Sequence, residues 1–178
     1  MADPVRIALV GPRAVGKSTV GRWLAEQRSV AFVDADVELA RDRGVASAGA
    51  LLAAVGEPTF RMHEERVSLA LLAGHDGVVA LGGGAVLSPR LRERLAASDW
   101  FVAYLSASDP VLCARVLADE TERPRLTDLP LEREIAALHA SRRPHYRAVA
   151  AVEVVVDGLA PGEVGQRVLD AFDLAARG

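Results

Sequence analysis

This sequence predicts an α/β fold, a five-stranded parallel sheet with helices on both faces, and three observations predict it. Short apolar runs alternate with helix-like stretches along the 178 residues, the pattern of successive β–α–β units. The first run, Val5 to Val10, is too uniformly apolar for a strand with one wet face and suits the middle of a parallel sheet. Directly after it stands Gly11-Pro12-Arg13-Ala14-Val15-Gly16-Lys17-Ser18-Thr19. Strand, G-x-x-x-x-G-K-[ST] and helix together form the context of a phosphate-binding P-loop.

The elements follow in order. A helix runs from Lys17 to about Arg28, and Val30 to Val33 is a short second strand ending in Asp34-Ala35-Asp36. Two carboxylates at a strand's carboxyl end sit where open α/β sheets take ligands. Helix continues from Val37 to Arg43, with Gly44 as its stop and Asp36 as a candidate N-cap. Residues 45–56 are small and alanine-rich and carry no assigned element. A helix from about Thr59 to Ala73 turns Phe60, Val67, Leu71 and Leu72 to one side and opens with charged residues. The third strand, Gly77 to Leu81, delivers Gly82-Gly83-Gly84, where a backbone lies flush against a ligand with no side chain between.

Ser88 to Ala97 is a helix with proline in its first turn, and Trp100 to Leu105 is the fourth strand. Ser108-Asp109-Pro110 opens a helix to about Ala118. The charged stretch that follows has no apolar periodicity, and about 118–128 is expected to be a mobile lid. Leu131 to about His139 is helical, Ala151 to Val156 is the fifth strand, and Glu163 to Ala176 closes the chain. No repeat or linker divides it, so residues 1–178 read as a single domain with an acceptor-binding segment at about 34–62.

Composition narrows the function. A net charge of −3 builds no broad basic field, so no nucleic-acid partner is expected. No apolar run reaches membrane-spanning length and no signal-like segment precedes the first strand, which makes a cytoplasmic protein, acting as a monomer, the expectation. Cys113 is alone and reads as a small core residue. Of the 21 lysines and arginines only Lys17 is lysine, inside the loop where a compact ammonium fits and a planar guanidinium does not. A guanine-reading Asn/Thr-Lys-x-Asp motif is thereby excluded, and with it a GTPase switch.

Right-handed crossovers put all five strand ends at one edge, so the P-loop, the Asp-Ala-Asp, the triple glycine and the basic lid converge. Residues 14–19 (Ala14, Val15, Gly16, Lys17, Ser18, Thr19) wrap the phosphates of ATP, and Ser18 with Asp34 serves Mg²⁺. Lys17 and lid arginines neutralise a moving phosphoryl group, and Asp36 receives an acceptor hydroxyl. Arg61 and Arg142 are the guanidinium forks for an acceptor carboxylate, with Glu64 one turn on holding Arg61. The residues alone thus read as a small-molecule kinase with an acidic polyol acceptor.

Six segments carry a resemblance that covers essentially the whole chain. They are the P-loop at 11–19, Asp34-x-Asp36, Gly56-Glu57-x-x-Phe60-Arg61-x-x-Glu64-Glu65, Leu81-Gly82-Gly83-Gly84, Arg123-Pro124-x-Leu126 and Arg142-x-Pro144-x-Tyr146. In this order and spacing the chain resembles the shikimate kinases, which implies the P-loop kinase fold and ATP-dependent phosphorylation of shikimate to shikimate 3-phosphate, in aromatic amino-acid biosynthesis. The resemblance implies that Asp36, Arg61, Gly83 and Arg142 bind shikimate, with Gly82 and Gly84 flanking. It also implies that Arg123 touches ATP and the transferring phosphate, and that Arg115 stacks near the adenine. Ala14-Val15, Arg13 and the alanines at 46, 48 and 50 depart from the family pattern. They keep a related hydroxylated acid, such as an aminoshikimate, as an alternative acceptor; a non-catalytic nucleotide-binding paralogue is a further alternative.

Overall fold

Alternation within the first strand sets the layers. In β1 (Arg6–Val10), Ile7 and Leu9 face one side of the sheet, Ala8 and Val10 the other, and all four are buried. The computed structural model describes residues 5–97, 99–119 and 126–177. Its five strands run parallel in the order β2-β3-β1-β4-β5, with β2 at Phe32–Asp34, β3 at Gly77–Ala80, β4 at Phe101–Ser106 and β5 at Val152–Val155. β1 is central, Leu9 lying opposite Ala80 of β3 and Ala103 of β4.

Helices α1 (Lys17–Arg28), α6 (Asp109–Ala118) and α8 (Pro161–Ala175) cover one face, burying Leu24, Leu112, Val116 and Val168 against Ile7 and Leu9. On the other face α4 (Glu57–Gly74), α5 (Pro89–Ala96) and α7 (Leu131–Val149) bring Leu72, Leu91, Leu95 and Tyr146 onto Ala8 and Val10. A satellite cluster of Leu39, Ala48, Leu51, Phe60 and Val67 joins α2 (Ala35–Arg43), α3 (Ala48–Val55) and α4 beside the sheet. No described helix is long and apolar enough to cross a membrane.

Four differences from the sequence reading have physical causes. The strand before Asp34 starts at Phe32 rather than Val30, because Ser29 in left-handed backbone and the bond from Val30 N to Ala25 O belong to the end of α1. Residues 48–55 form α3, capped by the Ser47 side chain on Ala50 N at 3.0 Å. Alanine's high helix propensity supports it there without the polar face that periodicity looks for. Helix α4 begins at Glu57, with proline tolerated in its first turn, and α8 likewise begins at Pro161. Helix α7 does not stop at His139 but continues through Pro144 to Val149. Pro144 lacks the N–H that the helix needs, yet Arg142 and Tyr146 on either side are both anchored to Gly83 O.

Candidate active site

The phosphate loop is built by tight backbone. Gly11 has φ +146°, and a Cβ there would stand 2.3 Å from Leu105 O, so only glycine lets the end of β1 turn against β4. Gly16 (φ +105°) precedes α1, and among the described residues no side chain caps that helix, whose positive end suits an anion. Lys17 Nζ donates to Gly11 O and Pro12 O, both at 2.8 Å, lying back over the loop. From α6, Arg115 donates to Val15 O at 2.8 Å and so braces the loop's outer wall. Ala14 adopts a left-handed backbone, φ +61°, which glycine tolerates more readily.

Beside the loop, the Ser18 hydroxyl donates to Asp34 Oδ2, and Asp36 N donates to Asp34 Oδ1 at 3.0 Å. The cap of α2 is therefore Asp34, not Asp36 as its position suggested. The chain turns helical already at Ala35, one residue after the strand, and places Asp36 in the first turn.

Across the cleft, Arg61 on α4 is gripped from both sides. It donates to Glu64 Oε2 at 2.7 Å and to Glu57 Oε1 at 3.0 Å. Burial opposes the Arg61 charge, but the two carboxylates outweigh it and raise its pKa. Glu64 is 4% exposed. Burial pushes its carboxyl upward against the pull of Arg61, and the nearby Asp36 charge pushes the same way.

The triple glycine serves these groups more than it serves a bare ligand surface. A Cβ on Gly82 would stand 2.3 Å from Glu64 Oε1 and 2.9 Å from Asp36 Oδ1, and one on Gly84 would stand 2.1 Å from Arg61 Nη1. Gly83 offers its carbonyl to Arg142 Nη1 at 3.3 Å and to the Tyr146 hydroxyl at 2.5 Å. Burial raises the pKa of Tyr146 strongly, so it remains a neutral donor. Arg142 is buried, and its Nε has no hydrogen-bond partner among the described residues.

These elements enclose two adjoining cavities. The larger, about 860 Å³, is lined by residues 13–20 together with Asp34, Asp36, Gly83 and Arg115. The smaller, about 70 Å³, is bordered by Arg13, Asp36, Arg61, Gly83, Gly84 and Arg142. Arg13, Asp36 and Gly83 border both, so a group on one side of Asp36 meets a group on the other. Gly82 lines neither cavity; its smallness admits Glu64 and Asp36 instead. Arg123, and the stretch 120–125 of the expected lid, lie outside the described residues. Sequence reasoning missed the roles of Glu57 and Tyr146. The i, i+4 spacing of Glu57 and Arg61 was a usable signal, whereas the bond from Tyr146 to Gly83 spans 63 residues and had none.

Several known proteins are similar to this chain over most of its length. Residues 13–173 match the family model described as shikimate kinase. A shikimate kinase of Saccharopolyspora erythraea is 42% identical over 162 residues, covering 91% of this chain and 90% of that protein. One from Streptomyces avermitilis is 41% identical, covering 95% and 96%. The structure of a shikimate kinase from Acinetobacter baumannii in complex with shikimate superposes with a TM-score of 0.89 at 32% identity, covering 97% of this chain and 95% of that one.

Proposed function

We infer the activity from one premise: the chain belongs to the shikimate kinase family. It phosphorylates shikimate with ATP, giving ADP and shikimate 3-phosphate, in aromatic amino-acid biosynthesis. At residue level the observation that carries this reading is the shared wall, where Asp36 borders both the phosphate cleft and the pocket of Arg61 and Arg142.

The roles follow from what each group can do there. Shikimate's carboxylate pairs with Arg61 and with Arg142, whose buried Nε is an unspent donor. Glu64 and Glu57 keep the Arg61 fork in place and charged. Asp36 accepts the proton of the acceptor hydroxyl as its oxygen bonds to the γ-phosphorus and the bond to the β–γ bridging oxygen breaks. Lys17 leaves the Gly11 and Pro12 carbonyls for the outer phosphates, and the amides of residues 14–19 hold the rest of the triphosphate. Arg115 borders the nucleotide side, and Arg123 is assigned there on the family motif alone.

The Ser18 hydroxyl and Asp34 carboxylate form a hard-oxygen pair beside the loop, and they are the residues that would hold Mg²⁺. When bound, that ion offsets phosphate charge. The described residues contain no group of three or more His, Cys, Asp or Glu placed to hold a metal. A cytoplasmic location suits a small-molecule kinase with no helix among the described residues long and apolar enough to cross a membrane.

A coupled ADP-release assay with purified protein, ATP, Mg²⁺ and a panel of hydroxylated acids tests the reading. Shikimate is expected to be turned over at the highest kcat/KM. Equal or better rates with an aminoshikimate or another polyol acid would transfer the assignment to that acceptor, and Arg13, at both cavities, is the residue that would favour it.

A further inference from the structure

Behind the acceptor pocket a chamber of about 40 Å³ lies between the P-loop and α7, lined among others by Arg13, Leu126, Glu134, His139 and Arg142. Glu134 is only 2% exposed, an expensive place for a carboxylate without partners. Its partners include the chain just beyond residue 125. Thr127 N donates to Oε2 at 3.1 Å, the Thr127 hydroxyl donates to the same oxygen at 2.8 Å, and Leu126 N reaches Oε1 at 3.4 Å. The Thr127 hydroxyl in turn accepts from Leu129 N at 3.3 Å. Glu134 also lies in the first turn of α7, whose positive end favours a carboxylate.

What this buried carboxylate holds is a piece of the acceptor site. Leu126 lines both the chamber and the smaller cavity, whose apolar lining also includes Phe60 and Leu52. Leu126 itself is only partly buried. Without Glu134, two backbone amides and a hydroxyl at 126–127 lose their acceptor, and that wall of the pocket loses its fixed position.

We propose that Glu134 is a positioning residue for the acceptor pocket, pinning the backbone at 126–127 so that Leu126 closes its apolar wall. It acts on the acceptor rather than on the nucleotide, since its carboxylate borders the chamber and not the phosphate cleft. The assignment rests on the shikimate kinase reading for the identity of the acceptor alone.

The test uses the full chain as wild type, Glu134→Gln, Leu126→Ala, the double variant and Thr127→Val. Glu134→Gln and Leu126→Ala are each expected to raise the KM for shikimate about tenfold, with the KM for ATP changed by less than about twofold. The double variant is expected to be no worse than about the poorer single one, because both changes remove one wall. Thr127→Val removes the hydroxyl that donates to Glu134 and accepts from Leu129 N, on a partly buried edge, and leaves the backbone amides in place; a rise of about threefold or more is expected on the scale of one or two hydrogen bonds. Hydrogen exchange supplies a readout independent of substrate, since the Thr127 amide should lose protection in Glu134→Gln. Multiplying effects in the double variant, or an unchanged acceptor KM in Thr127→Val with Thr127 still protected in Glu134→Gln, would overturn the proposal and leave the kinase reading standing. Should wild type prefer another acid, the kinase reading falls, and the same KM ratios measured with that acid decide the role of Glu134.

Discussion

Asp36 borders both cavities while its backbone N–H is spent on Asp34, so its carboxylate is not needed to cap α2. Asp36→Asn keeps size and polarity but cannot take a proton. Turnover should fall by about a hundredfold or more, the usual scale for an acid–base group, while ATP binding measured by calorimetry persists. Near-normal turnover would reduce Asp36 to an orienting contact. The glycines make an equally sharp case. Gly84→Ala drives a methyl into the Arg61 guanidinium, whose position is already dictated by Glu57 and Glu64. The acceptor KM should rise by about tenfold or more, roughly 1.4 kcal/mol, with the ATP KM unchanged. An unaltered KM would mean that Arg61 reaches the acceptor from another rotamer. The sequence singled out Arg61, Arg142 and Asp36, and all three border the smaller cavity. That Gly82 and Gly84 yield room to side chains was not legible there, since the intruders come from α2 and α4, 18 residues or more away.

At the scale of elements, Asp34 joins two tasks that can be separated. It ends β2, caps α2 through Asp36 N and accepts from Ser18. Serine caps a helix about as well as aspartate, so Asp34→Ser should leave denaturant stability within about 0.5 kcal/mol. Turnover at limiting Mg²⁺ should nevertheless fall, and raising Mg²⁺ should restore part of it, if the lost carboxylate serves the ion as proposed. Loss of stability with full activity would assign Asp34 to the cap alone. Which elements the sequence disclosed follows the same logic of local against distant causes. The strands, the P-loop and α5 carry their signals within a few residues, down to the Ser88 cap on Leu91 N at 3.1 Å. Helix α3 was hidden because Ala48 to Val55 has no polar stripe, and its packing on Leu39 and Phe60 is tertiary. The run of α7 through Pro144 was hidden because the local rule says stop and the anchor that overrides it, Gly83 O, is remote.

On the scale of the molecule, the strand order β2-β3-β1-β4-β5 places the P-loop at the centre of the sheet edge, with Asp34 and the triple glycine on one side of it. The larger cavity draws on α1, α6 and α8 and the smaller on α4 and α7, while α2 and α3 border both. The two cavities share α2 and α3 but differ in Arg61, Gly84 and Arg142, so the effects of the two ligands on thermal unfolding should be separable. A ligand that binds only the folded chain at a hundred times its Kd stabilises it by about 2.7 kcal/mol. For a chain of this length that is a rise in Tm of roughly 5–11 °C. ATP with Mg²⁺ and shikimate should each produce such a shift in the wild type. In Arg142→Ala the shikimate shift should largely vanish while the nucleotide shift remains, because Arg142 borders the smaller cavity and not the larger one. Loss of both shifts would mean that Arg142 and its hold on Gly83 O maintain the shared wall itself, and the acceptor-specific role given to that guanidinium would have to be withdrawn.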